Sequence, residues 1–238
     1  MKKIFCAMLI AISWLATGQN SEKKLYNWFD SNIGIENTSI FQGIKYEEKN
    51  QPLKKKHSFF ISNKFIKGNL LYNGEFFFDI KMKYDLFDQE LVILFEKGNN
   101  NRIAIQLFKK NITEFSLHNT HFIKLKINDE PNFYEEGYKS NLIGLYIKHR
   151  KTKRETQYRG KLINSYRNNS LQYFIYYNSL YIKISSRKTI VNIFPEQKQL
   201  INSFFKENNS LKKEKHKLFL IDLINSINKN ILKSKVKK

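Results

Sequence analysis

Residues 69–95, NLLYNGEFFFDIKMKYDLFDQELVILF, set an Asn-Gly pair between a short apolar run and a longer alternating one, which few folds can accommodate. Phe76, Phe78, Ile80, Met82 and Tyr84 alternate with Phe77, Asp79, Lys81 and Lys83. A period of two predicts a strand with one buried and one mostly wet face, whereas a helix would scatter the apolar set. Asn73-Gly74 offers the two positive φ angles of a type I′ turn, so Leu71 should face Phe76 and Leu70 should face Phe77. Asp85 and Asp88 then interrupt the alternation with side chains suited to a turn, and an apolar strand resumes at 90–95. The stretch predicts a meander of three antiparallel strands.

The N-terminus carries a different signal. Lys2 and Lys3 precede an apolar run over 4–15, and Ala16-Thr17-Gly18 has the small-x-small form of a cleavage site. These features describe a secretory signal peptide over 1–18, with the mature chain starting near Gln19. The alternative is an uncleaved anchor, against which the run is shorter than the roughly 20 residues that span a bilayer. Cys6 is the only cysteine, so cleavage would leave a chain without thiols or internal disulfides, held together by packing alone. The expected location is the periplasm, the outer-membrane periphery or the exterior.

Lys and Arg together number 42 against 21 acids, a net charge of +21, or +19 without Lys2 and Lys3. That balance favours anionic partners. Codon composition rich in adenine and thymine would also enrich Lys, Asn, Ile, Phe and Tyr without selection for binding. The candidate anion contacts are Lys54, Lys55 and Lys56 in a polar loop, and Arg150, Lys151, Lys153 and Arg154 in a basic run expected at a solvated hairpin tip. Further basic clusters lie over 212–217 and 233–238. With no aromatic or hydrogen-bonding set evident beside these clusters, binding should be weak and salt-sensitive.

Along the remaining chain, a short helix or arm is expected over 22–30, packing Leu25, Trp28 and Phe29 on the sheet. Weak strands follow over 33–46, and a strand over 57–62. More strands are predicted at 103–108, 112–117, 122–127 and 142–149, with 128–139 read as a polar segment. A hairpin over 173–184 turns at Asn178-Ser179. Ser186 should cap a helix, Pro195 should open the next, and Leu220, Ile224, Ile227 and Ile231 mark a last one. The expected fold is mainly β (α+β): an antiparallel meander sheet, or partly closed barrel or sandwich, over 19–185. Two or three C-terminal helices over 186–232 should pack on it, and 233–238 should be a basic disordered tail.

The succession YNGEFFFDIKMKYDLFDQELVIL, IAIQLF, EFSLHNTHFIKL, YIKHRK and YFIYYNSLYIKISSRKTIVNIFPEQKQLINSFF resembles an uncharacterised family of small secreted or periplasmic proteins of Gram-negative bacteria. The resemblance implies an envelope location and supplies no active-site residues.

Recognisable chemistry is scarce. His118 and His121 would need a third ligand such as Glu114 or Asp129, and on a strand they face opposite ways. Asp79, Asp85, Asp88 and Glu90 could supply an acid/base pair but sit among turn residues and lysines. There is no G-x-S-x-G elbow, phosphate loop or dinucleotide fingerprint. No catalytic residue, metal or cofactor is assigned. The leading expectation is a non-enzymatic envelope protein that binds another envelope protein. An electrostatic binder of anionic polymer or lipid surface comes next, and a cryptic hydrolase third. No specific nucleic acid is expected as partner.

Overall fold

A computed structural model describes residues 23–26, 28, 34, 37–47, 56–97, 101–158 and 161–236. The signal-peptide reading falls outside them, as do Lys54 and Lys55. The chain divides into two compact units, Met1–Asn119 with Lys153–Tyr166, and Thr120–Thr152 with Arg167–Lys238. The architecture is mostly antiparallel β with C-terminal helices, as expected, and the strands do not close into a barrel.

The first unit holds β1 (Gly43–Lys45), β2 (Ile66–Tyr72), β3 (Glu75–Asp85), β4 (Glu90–Lys97), β5 (Asn101–Leu107) and β6 (Ile112–Leu117). They lie in the order β1-β5-β4-β3-β2-β6. The predicted meander is β2, β3 and β4, with Leu70 opposite Phe77 and Leu71 opposite Phe76. Asn73 and Gly74 take φ of 52° and 82°, as the primed turn requires.

The alternation within β3 needs correction. Pairing slips between Gly68 and Leu70, and Asp79 takes a φ of 57°, so an extra residue bulges from β3. One inserted residue flips the face of everything beyond it. Phe77, rather than Phe76, therefore joins Ile80, Met82 and Tyr84 inside, and Phe76 is 40% exposed. Lys83, expected on the wet face, is buried with its ammonium 3.9 Å from the centre of the Phe59 ring.

Several expectations for this unit's periphery also fail. Residues 57–62 contribute only a bridge from Phe59 to Asp85, and among the described residues of 33–46 only Gly43–Lys45 is a strand. Residues 23–26 are helical, yet Leu25 and Trp28 are exposed, and Tyr26 is the residue whose ring approaches Phe78.

The second unit holds β7 (Thr120–Ile127), β8 (Glu130–Lys139), β9 (Ile143–Lys148), β12 (Gln172–Tyr177) and β13 (Leu180–Ile184), hydrogen-bonded in that order. The polar segment expected over 128–139 is thus strand β8, burying Asn132, Phe133, Tyr134 and Glu135. The basic run after β9 is not a hairpin tip. Both sides of β9 are occupied, by β8 and β12. The chain therefore continues into β10 (Lys151–Tyr158), which pairs with β11 (Lys161–Asn168) in a separate two-stranded sheet.

The helices are α1 (Arg187–Ile193), α2 (Lys198–Glu207), α3 (Asn209–Glu214) and α4 (His216–Val236). Ser186 caps α1 by accepting the Thr189 N–H, and Pro195 opens a 3-10 turn ahead of α2. One face of the sheet, with Ile143, Leu145, Ile147 and Ile175, packs against Ile190, Ile201 and the α4 stripe Leu220, Ile224 and Ile227. The expected tail from 233 is helical as far as Val236, since no Gly or Pro breaks α4. No helix among the described residues is long and apolar enough to cross a membrane.

Candidate functional site: a cationic cleft among the helices

Of the predicted anion contacts, Lys54 and Lys55 lie outside the described residues. Arg150 and Lys151 belong to the second unit, Lys153 and Arg154 to the first. Lys56 is exposed and uses its carbonyl to accept the Tyr166 N–H at 2.9 Å. Arg150 is exposed, and its carbonyl accepts the Asn169 N–H at 3.0 Å. Lys153 is paired with Glu155 at 2.8 Å, and the Arg154 carbonyl accepts the Ser165 hydroxyl.

The acids considered for catalysis are largely engaged in structure. Asp79 forms an ion pair with Lys23 at 2.9 Å. Asp85, Asp88 and Glu90 line a cleft of about 530 Å³ in the first unit, together with Lys45, Glu47 and Lys153. The Asp85 carboxylate accepts the Ser58 hydroxyl and the N–H groups of Phe87 and Asp88, which makes it the turn-former its position suggested. Among the described residues no three of His, Cys, Asp and Glu stand close enough to hold a metal ion.

A different arrangement occupies the second unit. A cleft of about 660 Å³ opens where the end of β13 meets α1, α2, α3 and α4. Its cations are Arg187, Lys206 and Lys212, each from a different helix. Its uncharged polar groups are Asn202, Asn209, Ser185 and Ser186, and His216 stands at the start of α4. Its apolar wall is built from Tyr173, Ile184, Ile190, Phe205 and Leu220.

Local sequence explains how these groups meet. The Ser186 cap starts α1 directly after β13, placing Arg187 in the first turn. Asn208 closes α2 by donating to the Phe204 carbonyl from both its backbone and its side chain, at 3.0 and 3.1 Å. The chain turns at once into α3, which carries Lys212. Phe204 and Phe205 both pack on Phe219 of α4, with ring centres 5.4 and 4.9 Å away. So held, the Phe205 ring has two cations beside it, Arg187 with its guanidinium carbon 5.9 Å from the ring centre and Lys212 with its ammonium 5.2 Å away.

The electrostatics are one-sided. No carboxylate among the described residues lines the cleft, and Arg187, Lys206 and Lys212 form no ion pair there. His216 packs against the rings of Tyr173 and Phe219. Partial burial, followed by the charge of Lys212, holds its imidazole below the ordinary histidine value. Three like charges gathered over an apolar floor, beside amide and hydroxyl groups, can receive an oxyanion and hydrogen-bond it.

A buried ion cluster ties α4 to the same unit's sheet. The Glu135 carboxylate of β8 lies 2.7 Å from His149 Nε2 and 2.8 Å from Lys217 Nζ. Burial alone would raise its pKa, but the bonds from His149 and Lys217, with their charge, outweigh this and hold it below the usual carboxylate range.

Two cleft residues, Lys212 and His216, fall in a basic cluster noted in the sequence, 212–217. The expectation that no aromatic or hydrogen-bonding set accompanies those clusters is wrong at Lys212, where Phe205, Asn209 and His216 stand in the same cleft. A signal was present, since Phe205, Asn209, Lys212 and His216 recur at spacings of four, three and four. Compared with family models, with curated proteins and with solved structures, the chain matches none.

Proposed function

We propose that the protein binds an anionic molecule in the cleft formed by Arg187, Lys206 and Lys212. The observation that carries the reading is three helices each delivering a cation to one concavity without a described carboxylate opposite. Bringing like charges together costs free energy, which a bound oxyanion would recover. The reading replaces diffuse attraction by a defined receptor, and it assigns the protein a binding role. We propose also that the chain is exported to the bacterial envelope. The basic and apolar order of residues 1–18 supports this, and mass spectrometry of envelope-purified protein should find an N-terminus within two residues of Gln19.

Thermal melting of the full chain with rising inorganic phosphate tests the binding role, because a ligand of the folded state raises Tm by mass action. The rise should vanish in the triple variant Arg187→Gln, Lys206→Gln, Lys212→Gln. It should persist when Arg150, Lys151, Lys153 and Arg154 are changed to Gln. The opposite pattern would return anion binding to the 150–154 run.

A further inference from the structure

We infer that the ligand of this cleft is an amphiphile: a single phosphate or carboxylate joined to a short alkyl chain. The inference rests on the anion-binding reading above and specifies its ligand class. The cleft has two chemically distinct parts. Arg187, Lys206, Lys212, Asn202 and Asn209 offer charge and hydrogen bonds, while the half-buried Phe205 and Ile184 offer apolar surface above the buried Ile190, Leu220 and Tyr173. A bare inorganic anion would engage the first part and leave the exposed portions of Phe205 and Ile184 wet. At about 660 Å³ the cleft falls in the range of small-molecule sites and far exceeds what one oxyanion fills.

The floor's construction supports the same conclusion. Ile190 and Leu220 are 1% exposed and belong to the unit's core, so the cleft reaches the core instead of ending at a polar surface. Phe205 is only half-buried, with Arg187 and Lys212 beside its ring. An apolar group entering over Phe205 would bring a terminal oxyanion to those two cations. A polyanion has no comparable use for a concave apolar floor.

Calorimetry on the full chain at physiological salt would compare octyl phosphate, octanoate, inorganic phosphate and octyl glucoside. Octyl phosphate or octanoate should bind at least tenfold tighter than inorganic phosphate, and which of the two is tighter identifies the head group. Octyl glucoside, neutral with the same tail, should give no binding. Lys212→Gln should weaken the tighter amphiphile at least fivefold. Lys198→Gln, an equal change of charge at an exposed position outside the cleft, should leave it unchanged.

Inorganic phosphate binding as tightly as octyl phosphate would overturn the amphiphile and leave the anion reading standing. Octyl glucoside binding as tightly would overturn both, as would no binding by any probe. Equal losses in Lys212→Gln and Lys198→Gln would move the interaction out of the cleft.

Discussion

At the scale of single residues, two ionisable side chains of the second unit have environments that set their behaviour with pH. Glu135 has its carboxyl held down by His149 and Lys217, so its contribution to stability is present above the unfolded value of about 4.3. That contribution is lost as pH falls through the lower folded value. Glu135→Gln should therefore lower stability at pH 7 by about 1–3 kcal/mol, from charge-assisted hydrogen bonds lost. It should also flatten the acid limb of a Tm-versus-pH curve below pH 4.3, and an unaltered limb would show that another group controls it.

His216 works in the opposite direction. Its imidazole sits below the ordinary value of about 6.5 and faces Lys212 from α3 and Tyr173 from β12, with Arg187 and Lys206 lining the same cleft. A bound anion would favour the imidazolium, so affinity should rise a few-fold as pH falls through the histidine range. Octyl sulfate, whose charge is constant there, is the probe, and His216→Gln should abolish the slope.

Among the elements, β2 has no room for a side chain at Gly68. A Cβ there would stand 2.2 Å from the Ser116 carbonyl oxygen of β6, a contact only backbone movement relieves. Gly68→Ala should cost about 1–3 kcal/mol, read as a lower midpoint in urea with little change of slope. The bulge at Asp79 lies across the β2–β3 pair from this glycine, and it marks where legibility from sequence ended. Turn chemistry at Asn73-Gly74 and Asn178-Ser179 declared itself locally and fixed both hairpin registers. A bulge is set by neighbours on both sides, so FFFDIKMKY read as one unbroken alternation. Strand β8 was hidden because Glu135 and Glu136 look solvated until His149, Lys217 and His121 are brought to them from distant positions. The cationic cleft was hidden for a similar reason. Its helical spacing was visible, but Arg187 and Lys212 come to the same ring, Phe205, only in the fold, where α2 packs against Phe219 of α4.

For the whole molecule, neither unit is a single run of chain. The second needs β7, β8 and β9 from 120–148 as well as β12, β13 and the helices. A chain ending after Thr152 would leave Ile143, Leu145 and Ile147 without the helical side of their core, and would deprive the first unit of Tyr166. Such a truncation should show weakened near-ultraviolet circular dichroism and dye binding to exposed apolar surface, whereas a well-packed product would contradict the division. The return of 153–166 to the first unit also fixes an order of events at the ribosome. Tyr166, whose N–H meets the Lys56 carbonyl and whose ring meets Phe87, is synthesised after β7, β8 and β9 have emerged from the peptidyl-transfer site. At about 5–20 residues per second, the strands of the first unit wait several seconds for their last segment while three strands of the second unit are already being made. The early chain is thus exposed to premature pairing, and it is during synthesis that a chaperone would have most to do.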